Sequence, residues 1–282
     1  MGQVTGVAFF PAPMRFMQTA DKSLRTDFAA LDGKMREAAA NIKKGNPQTI
    51  VLLSRYRLIL PDALGITPQS RLRGVLDVDD GTSLTVGAAV DQLFGTELKK
   101  QCYRMGLPLE DILSNVATLS PEHYLLHESA VIPLYYLQEA GLAGKQIIRL
   151  TIGRLTYEEL YTFGRLMQVV AEKSGRRIAV VGAANLLPVP DTKRADNRLD
   201  LNLMALSALA DRKVGLLTEV GYPPDDVTCF RVIAFLLGAL GGLDASLDIH
   251  YYETVRNGGY GLMQYSVKKD PGLRATLAKR TV

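Results

Sequence analysis

The chain has 282 residues, 47% apolar and 22% charged, with a net charge of +4. That length and apolar content predict a well-packed globular core, and basic residues scattered without a long run argue against nucleic-acid binding. Cys102 and Cys229 lie far apart with no CxxC spacing, which points to a reducing compartment rather than a structural zinc site; with no secretory-type leader and no apolar run long enough to span a bilayer, the expectation is a soluble cytoplasmic protein without membrane contact.

In chain order, "GVAFF" is a continuous apolar run of the buried-strand type. From about Asp21, apolar residues recur at Leu24, Phe28, Leu31, Met35, Ala38 and Ile42, the spacing of one helical face, and "KKGNP" ends that helix. "TIVLL" is a second buried strand, which predicts a crossover and a parallel sheet. Asp80-Gly81 between two short apolar stretches predicts a hairpin, and a helix is expected over Val90 to Met105. "ESAVIPLYYLQEAG" reads as a helix in which Pro133 is tolerable only in the first turns. "QIIRLTI" is a strand, Tyr157 to Lys173 a helix, and "RIAVVGAANL" a strand running into a loop of small residues. Helices follow near Leu199–Ala210 and Val227–Leu240, with Cys229 among apolar residues as a core thiol. "SLDIHYYE" and "GYGLMQYSV" close the chain as two strands around Asn257-Gly258. The expected fold is a single α/β domain over residues 1–282, with a central mostly parallel sheet, helices on both faces and a C-terminal β-hairpin.

Function in such a sheet concentrates at the C-terminal ends of strands. Four ends stand out: Pro11-Ala12-Pro13, Ser54-Arg55-Tyr56, Gly182 to Leu186, and Tyr252-Glu253; "LLHESAVIPLYYL" places His127 before a helix. "VGAANLLPVP" lacks the glycine spacing of a phosphate-binding turn.

These segments, in this order, resemble the class III extradiol dioxygenases of the LigB type and their MEMO-like relatives, over nearly the whole chain. The family's first strand ends in Pro-His-Pro, where this chain has Pro11-Ala12-Pro13; its second ends in Ser-Pro-His, here Ser54-Arg55-Tyr56. Its central Asp-His-Gly segment, followed by Val-Pro-Leu, corresponds to Leu126-His127-Glu128 and Ile132-Pro133-Leu134. Its Gly-Asp-Leu-Ser-His strand end corresponds to Gly182-Ala183-Ala184-Asn185-Leu186, and its closing Tyr-Glu to Tyr252-Glu253.

The resemblance implies a LigB-like fold in which two histidines and a glutamate hold one Fe(II), leaving open positions for a catechol and dioxygen. Carried over by position, those ligands are Ala12, Tyr56 and Glu253, and the acid/base position is Leu186. Alanine and leucine carry no donor, and a phenol with a pKa near ~10 is a costly ligand without a strong Lewis acid. His250 lies three residues from Glu253, an odd offset that sends the two side chains to opposite faces of a strand. No bound metal or other cofactor is therefore expected, with Fe(II) implied only for an active enzyme.

Three functions follow from this pattern. The first is a pseudoenzyme, a structural or regulatory subunit that forms a homo-oligomer or pairs with an active homologue. The second is an active ring-cleaving oxidoreductase with a remodelled metal site, using His127 and Glu253. The third is a binder of a small aromatic or anionic ligand at Ala12, Arg55, Tyr56, Asn185 and Leu186, with an arginine offering a planar fork to an anion. Several of these residues also have plainer readings: Glu253 as a solvated carboxylate, His127 as a hydrogen-bonded residue at a helix start, and Arg55, Tyr56 and Arg57 as a solvated loop.

Overall fold

The structure, a computed structural model, describes residues 2–19, 21–55, 60–113, 123–187, 195–220, 229–255 and 258–268. β1 (Gln3–Phe10) is buried over all but its first residue and leads through Pro13 into the short α1 (Met14–Gln18). The helical face that begins near Asp21 is two helices, not one: α2 (Lys22–Asp27) and α3 (Ala29–Lys44). Asp21 caps α2 by accepting from the Ser23 N–H. At Phe28 the backbone leaves helical geometry (φ −102°, ψ 4°), and the ring enters the core against Phe16 and Tyr260, with centroids 5.1 Å away in each case.

β2 (Thr49–Ser54), fully buried, is followed by the three-residue β3 (Leu64–Ile66), then by β4 (Arg71–Asp77) and β5 (Ser83–Ala89), the two arms of the expected hairpin. α4 (Gln92–Met105) starts two residues later than expected, because Val90 bridges to Ile147 and the Asp91 carboxylate caps the helix through the Phe94 N–H. β6 (Leu109–Asp111) and β7 (His123–Leu125) are again three residues each.

α5 (Glu128–Leu137) carries Pro133 at its sixth position, in the second turn, as the sequence allowed. Proline cannot donate to the carbonyl four residues back, yet the helix continues because its other residues are almost all buried. It ends in a π turn at Gln138–Leu142, where Gly141 takes φ 90°.

β8 (Gln146–Thr151), α6 (Tyr157–Ser174) and β9 (Arg177–Ala183) follow, α6 opening on a capping box of Thr156 and Glu159. α7 (Ala195–Asp211), α8 (Gly215–Val220) and α9 (Cys229–Leu240) precede the long pair β10 (Ala245–Val255) and β11 (Gly258–Val267). The proposed turn at Asn257 lies outside the described residues, as does the stretch before Cys229.

The main sheet has eight strands in the order β10-β11-β1-β9-β2-β8-β3-β6. Its centre, β1-β9-β2-β8, is parallel; β11 runs antiparallel to β1, and β3 antiparallel to β8. β1 and β2 are thus parallel but not adjacent, with β9 between them. The hairpin belongs to a separate three-stranded sheet, β5-β4-β7.

α3 and α5 cover one face of the main sheet, and α6 and α9, with α4 against α6, cover the other. The protein is therefore mixed α/β, with a mostly parallel sheet flanked by helices and a C-terminal strand pair. Both cysteines are buried. No helix among the described residues is long and apolar enough to cross a membrane.

Two glycines fix the distance between α6 and α9. A Cβ on Gly164 would fall 2.0 Å from the Phe235 carbonyl oxygen, and one on Gly238 would fall 1.9 Å from that of Tyr161. Backbone meets backbone here, so neither neighbour can swing aside. Gly238→Ala is expected to lower stability by about 3 kcal/mol through overpacking, read as a fall in the urea midpoint; an unchanged midpoint would contradict this contact.

Asp91 is a buried charge at the edge of the sheet where β2 begins. It accepts from the Thr49 hydroxyl at 2.5 Å, caps α4, and meets Arg176 Nε at 3.1 Å. Asp91→Ala leaves three donors short of a partner and is expected to cost about 2–4 kcal/mol in the same measurement.

Candidate functional site at the strand ends

The four central strands end in one row. Phe10, Ala183, Ser54 and Thr151 are register partners across β1, β9, β2 and β8. Beyond this row each chain leaves the ladder, and its peptide groups need new partners.

At the β1 end that need is met by a side-chain amide. Asn185 accepts the Ala12 N–H at 2.7 Å through Oδ1 and donates to the Ala12 carbonyl at 2.9 Å through Nδ2. The structure thus brings together two residues that the sequence singled out separately. Ala12 is buried, whereas Asn185 is exposed. Leu186, also buried, donates its N–H to the Gly259 carbonyl at 3.1 Å. Its side chain sits where Cβ atoms on Gly259 or Gly261 would be, at 3.2 and 2.9 Å. One residue on, Asn202 grips Leu187 in the same two-point way, with both bonds at 2.9 Å. Asn202 is fully buried, and sequence reasoning missed it because a lone asparagine inside a helix has no local signature.

Glu253 lies opposite Tyr260 in the β10–β11 pair. The carboxylate is half-buried and accepts the Tyr251 hydroxyl at 2.6 Å. Burial first, and then this carboxylate, push the Tyr251 phenol well above its ordinary pKa. Tyr252 reaches Thr254 instead, and His250, on that alternate set of positions, is exposed. The opposite-face expectation for His250 and Glu253 therefore holds.

His127 and Arg55 meet at the other end of the row. His127 is the N-cap of α5: its Nδ1 accepts the Ser129 N–H at 3.2 Å and lies 3.0 Å from the Ser129 hydroxyl. That hydroxyl donates to the Arg55 carbonyl at 3.1 Å. The same carbonyl accepts from Arg149 Nη2 at 3.3 Å. Arg55 thus contributes its backbone to the cluster, while the residue itself is exposed. Tyr56 lies outside the described residues.

Arg149 is fully buried on β8, with its guanidinium 5.4 Å from the centre of the Tyr124 ring. Thr151 lies two residues on along the same strand face, and Thr67 lies beside Arg149 across the β3 edge. The threonine hydroxyls are buried with no hydrogen-bond partner among the described residues. Sequence reasoning missed this cluster; the arginine in the middle of the strand "QIIRLTI" is the signal that could have found it. Among the described residues, no three His, Cys, Asp or Glu side chains are grouped as a metal-binding set.

No protein-family model matches the chain, and no curated protein matches it. Among solved structures, it is similar to the uncharacterized protein JW3007 from Escherichia coli K12, with a TM-score of 0.56 and 11% identity, over 94% of this chain and 100% of that one. At that identity the likeness is one of fold.

Two measurements test the site. Asn202→Ala strands both peptide groups of Leu187 in the interior and is expected to cost about 2–4 kcal/mol, against about 1 kcal/mol for Asn185→Ala, where water can replace the amide; equal losses on urea unfolding would contradict the clamps as described. For Tyr251, a phenol pKa raised in the folded state means that the protonated form is favoured there. Its contribution to stability is complete below the unfolded phenol value near ~10 and disappears as pH rises through the folded value. Glu253→Gln is expected to lower the Tyr251 titration, read as phenolate absorbance with Tyr251→Phe as the reference. Superimposable titrations would exclude the contact.

Proposed function

We propose that residues 1–282 form one LigB-like domain without the Fe(II) centre of the class III extradiol dioxygenases. In this reading it serves as a non-catalytic structural or regulatory subunit, or as a binder of a small aromatic ligand. The observation that carries the reading is the state of Ala12. Its side chain is a buried methyl, and its N–H and carbonyl are both taken by Asn185.

The other positions implied by the resemblance add little that could hold a metal. Leu186 has no donor and is packed against glycines, and Glu253 is one carboxylate already engaged by Tyr251. Such a set does not fit Fe(II), which takes two imidazoles and a carboxylate in this class of site. No reaction step through iron is therefore derived. The catalytic use of His127 in the active-enzyme alternative is likewise weakened by its use as a helix cap.

The ligand-binding branch draws on Arg55, whose carbonyl is held by Ser129 and Arg149 while the residue faces solvent at the tip of β2. A catecholate or aromatic acid would meet that guanidinium through charge-assisted hydrogen bonds. Two buried thiols and a chain free of membrane-spanning helices among the described residues support a cytoplasmic setting. Pairing with itself or with an active homologue is the corresponding role for a silent subunit.

Protein expressed in iron-rich medium is expected to hold far less than one iron per chain by elemental analysis, and to leave catechols uncleaved. Stoichiometric iron with ring cleavage would replace this reading with that of an active oxidoreductase. A thermal-shift panel of catecholates and aromatic acids separates the two branches: stabilisation that is lost in Arg55→Ala marks a binder, and no shift with any of them leaves the structural subunit.

A further inference from the structure

A second region of the molecule has the features of a ligand site and does not rest on the reading above. An open cleft of about 530 Å³ lies over the outward face of the three-stranded sheet. Arg71 and Arg73 on β4 project from this face, two residues apart and therefore on the same side of the strand. Lys145, just after the π turn, supplies a third cation. No Asp or Glu is among the residues lining the cleft. None of the three cations takes part in a salt bridge among the described residues.

The floor of the cleft is made of small residues. Arg71 is the register partner of Ala89, and Arg73 of Gly87. Neither Gly87 nor Gly144, which also lines the cleft, has a positive φ. Packing does not demand glycine at either position: a Cβ on Gly87 would meet only the Leu72 carbonyl, at 3.4 Å, an ordinary contact, and one on Gly144 would meet nothing within 4 Å. The Gly87 carbonyl is taken by the Gln138 amide at 2.7 Å; glycine weakens a strand interior, and here its missing side chain leaves the strand surface open to close approach by a ligand. The volume is that of a small-molecule site.

We propose that this cleft binds a small anion carrying two or more phosphoryl or carboxylate groups, held by Arg71, Arg73 and Lys145 over the Gly87 floor. Two guanidiniums offer forks to such groups, and Lys145 adds a point charge. The missing side chains let the anion lie close to the strand.

The test is calorimetric titration of the full-length protein with pyrophosphate and with citrate at low ionic strength. The expected result is one-to-one binding of at least one of the two, weakened about tenfold or more in Arg71→Ala and in Arg73→Ala. Gly87→Val is expected to abolish binding while the melting temperature stays the same or rises, since valine suits a strand better than glycine. Three results would overturn the proposal: no saturable binding of either anion, affinity unchanged in both arginine variants, or tighter binding of a single-stranded oligonucleotide than of either anion, with a steep salt dependence. The last would assign the face to nucleic acid instead. Arg71 and Arg73 are exposed, so their variants remain informative should Gly87→Val perturb the hairpin.

Discussion

Where four parallel strands stop in the same row, the peptide groups just beyond them have lost their ladder partners, and an unpaired peptide group in a buried setting costs as much as a lost hydrogen bond. Much of the geometry at the carboxyl edge of this sheet follows from how that requirement is met. Near β1 and β9 the solution is asparagine. Asn185 spans both polar groups of Ala12, and Asn202 does the same for Leu187 from inside α7. An amide suits this task because it carries a donor and an acceptor side by side, the same pairing that a neighbouring strand would present. These clamps hold the β1 and β9 loops against the β10–β11 pair, where the Leu186 N–H reaches Gly259. Near β2 and β8 the solution is cationic and hydroxylic. The Arg55 carbonyl accepts from both Arg149 and Ser129, and Ser129 is fixed in turn by the His127 cap.

The two faces of the sheet support this edge differently. On the α6–α9 side the helices approach through Gly164 and Gly238 at backbone contact, which leaves little freedom for sliding. On the α3–α5 side the packing is made by larger groups. Val131 of α5 fills the place that a side chain on Gly74 would take, joining the small sheet to the main one. Tyr136 of α5 donates to Asp32 of α3 at 2.7 Å, and Arg36 lies over its ring at 5.6 Å. Burial and that carboxylate together raise the Tyr136 phenol far above its ordinary range, which favours its protonated, donating form. The N-terminus of α5 is thus positioned from several directions, and His127 and Ser129 with it.

The parts of this arrangement that were legible in the sequence are those with a strong period or a strong local chemistry. β1, β2 and β9 hold short, continuous apolar runs, as strands buried on both faces must, and β8 is such a run interrupted by Arg149. The hairpin between β4 and β5 was marked by Asp80-Gly81. The break at Phe28 was not legible, because the apolar spacing continues unbroken across it and only the tertiary contacts of the ring require the turn. β3, β6 and β7, at three residues each, are too short for periodicity to register. At the site, Ala12, Asn185 and Leu186 were picked out as separate positions, but their pairing joins residues more than 170 apart in the chain and depends on β1 lying beside β9. Arg149 was readable in principle, since a cation in the middle of a buried strand needs a special environment.

The edge therefore has two unlike halves. Around Ala12, Leu186 and Tyr260 it is closed by methyl, isobutyl and aromatic groups, and the Glu253 carboxylate is occupied by Tyr251. Around Ser54, Thr67, Thr151, Ser129 and Arg149 it is polar and buried, with the half-buried His127 at its margin. A guanidinium held out of water is costly and survives only where hydrogen bonds and neighbouring π density offset its desolvation. Arg149 has the Arg55 carbonyl and the face of Tyr124 for this purpose. The cost is offset by groups at the end of β2 and on β7, so the arginine ties the small sheet to the main one, and α5 joins the same point through Ser129, which shares the Arg55 carbonyl. Removing its charge would relax that point even if nothing ever bound there, and the fixed position of Arg55 at the rim depends on it.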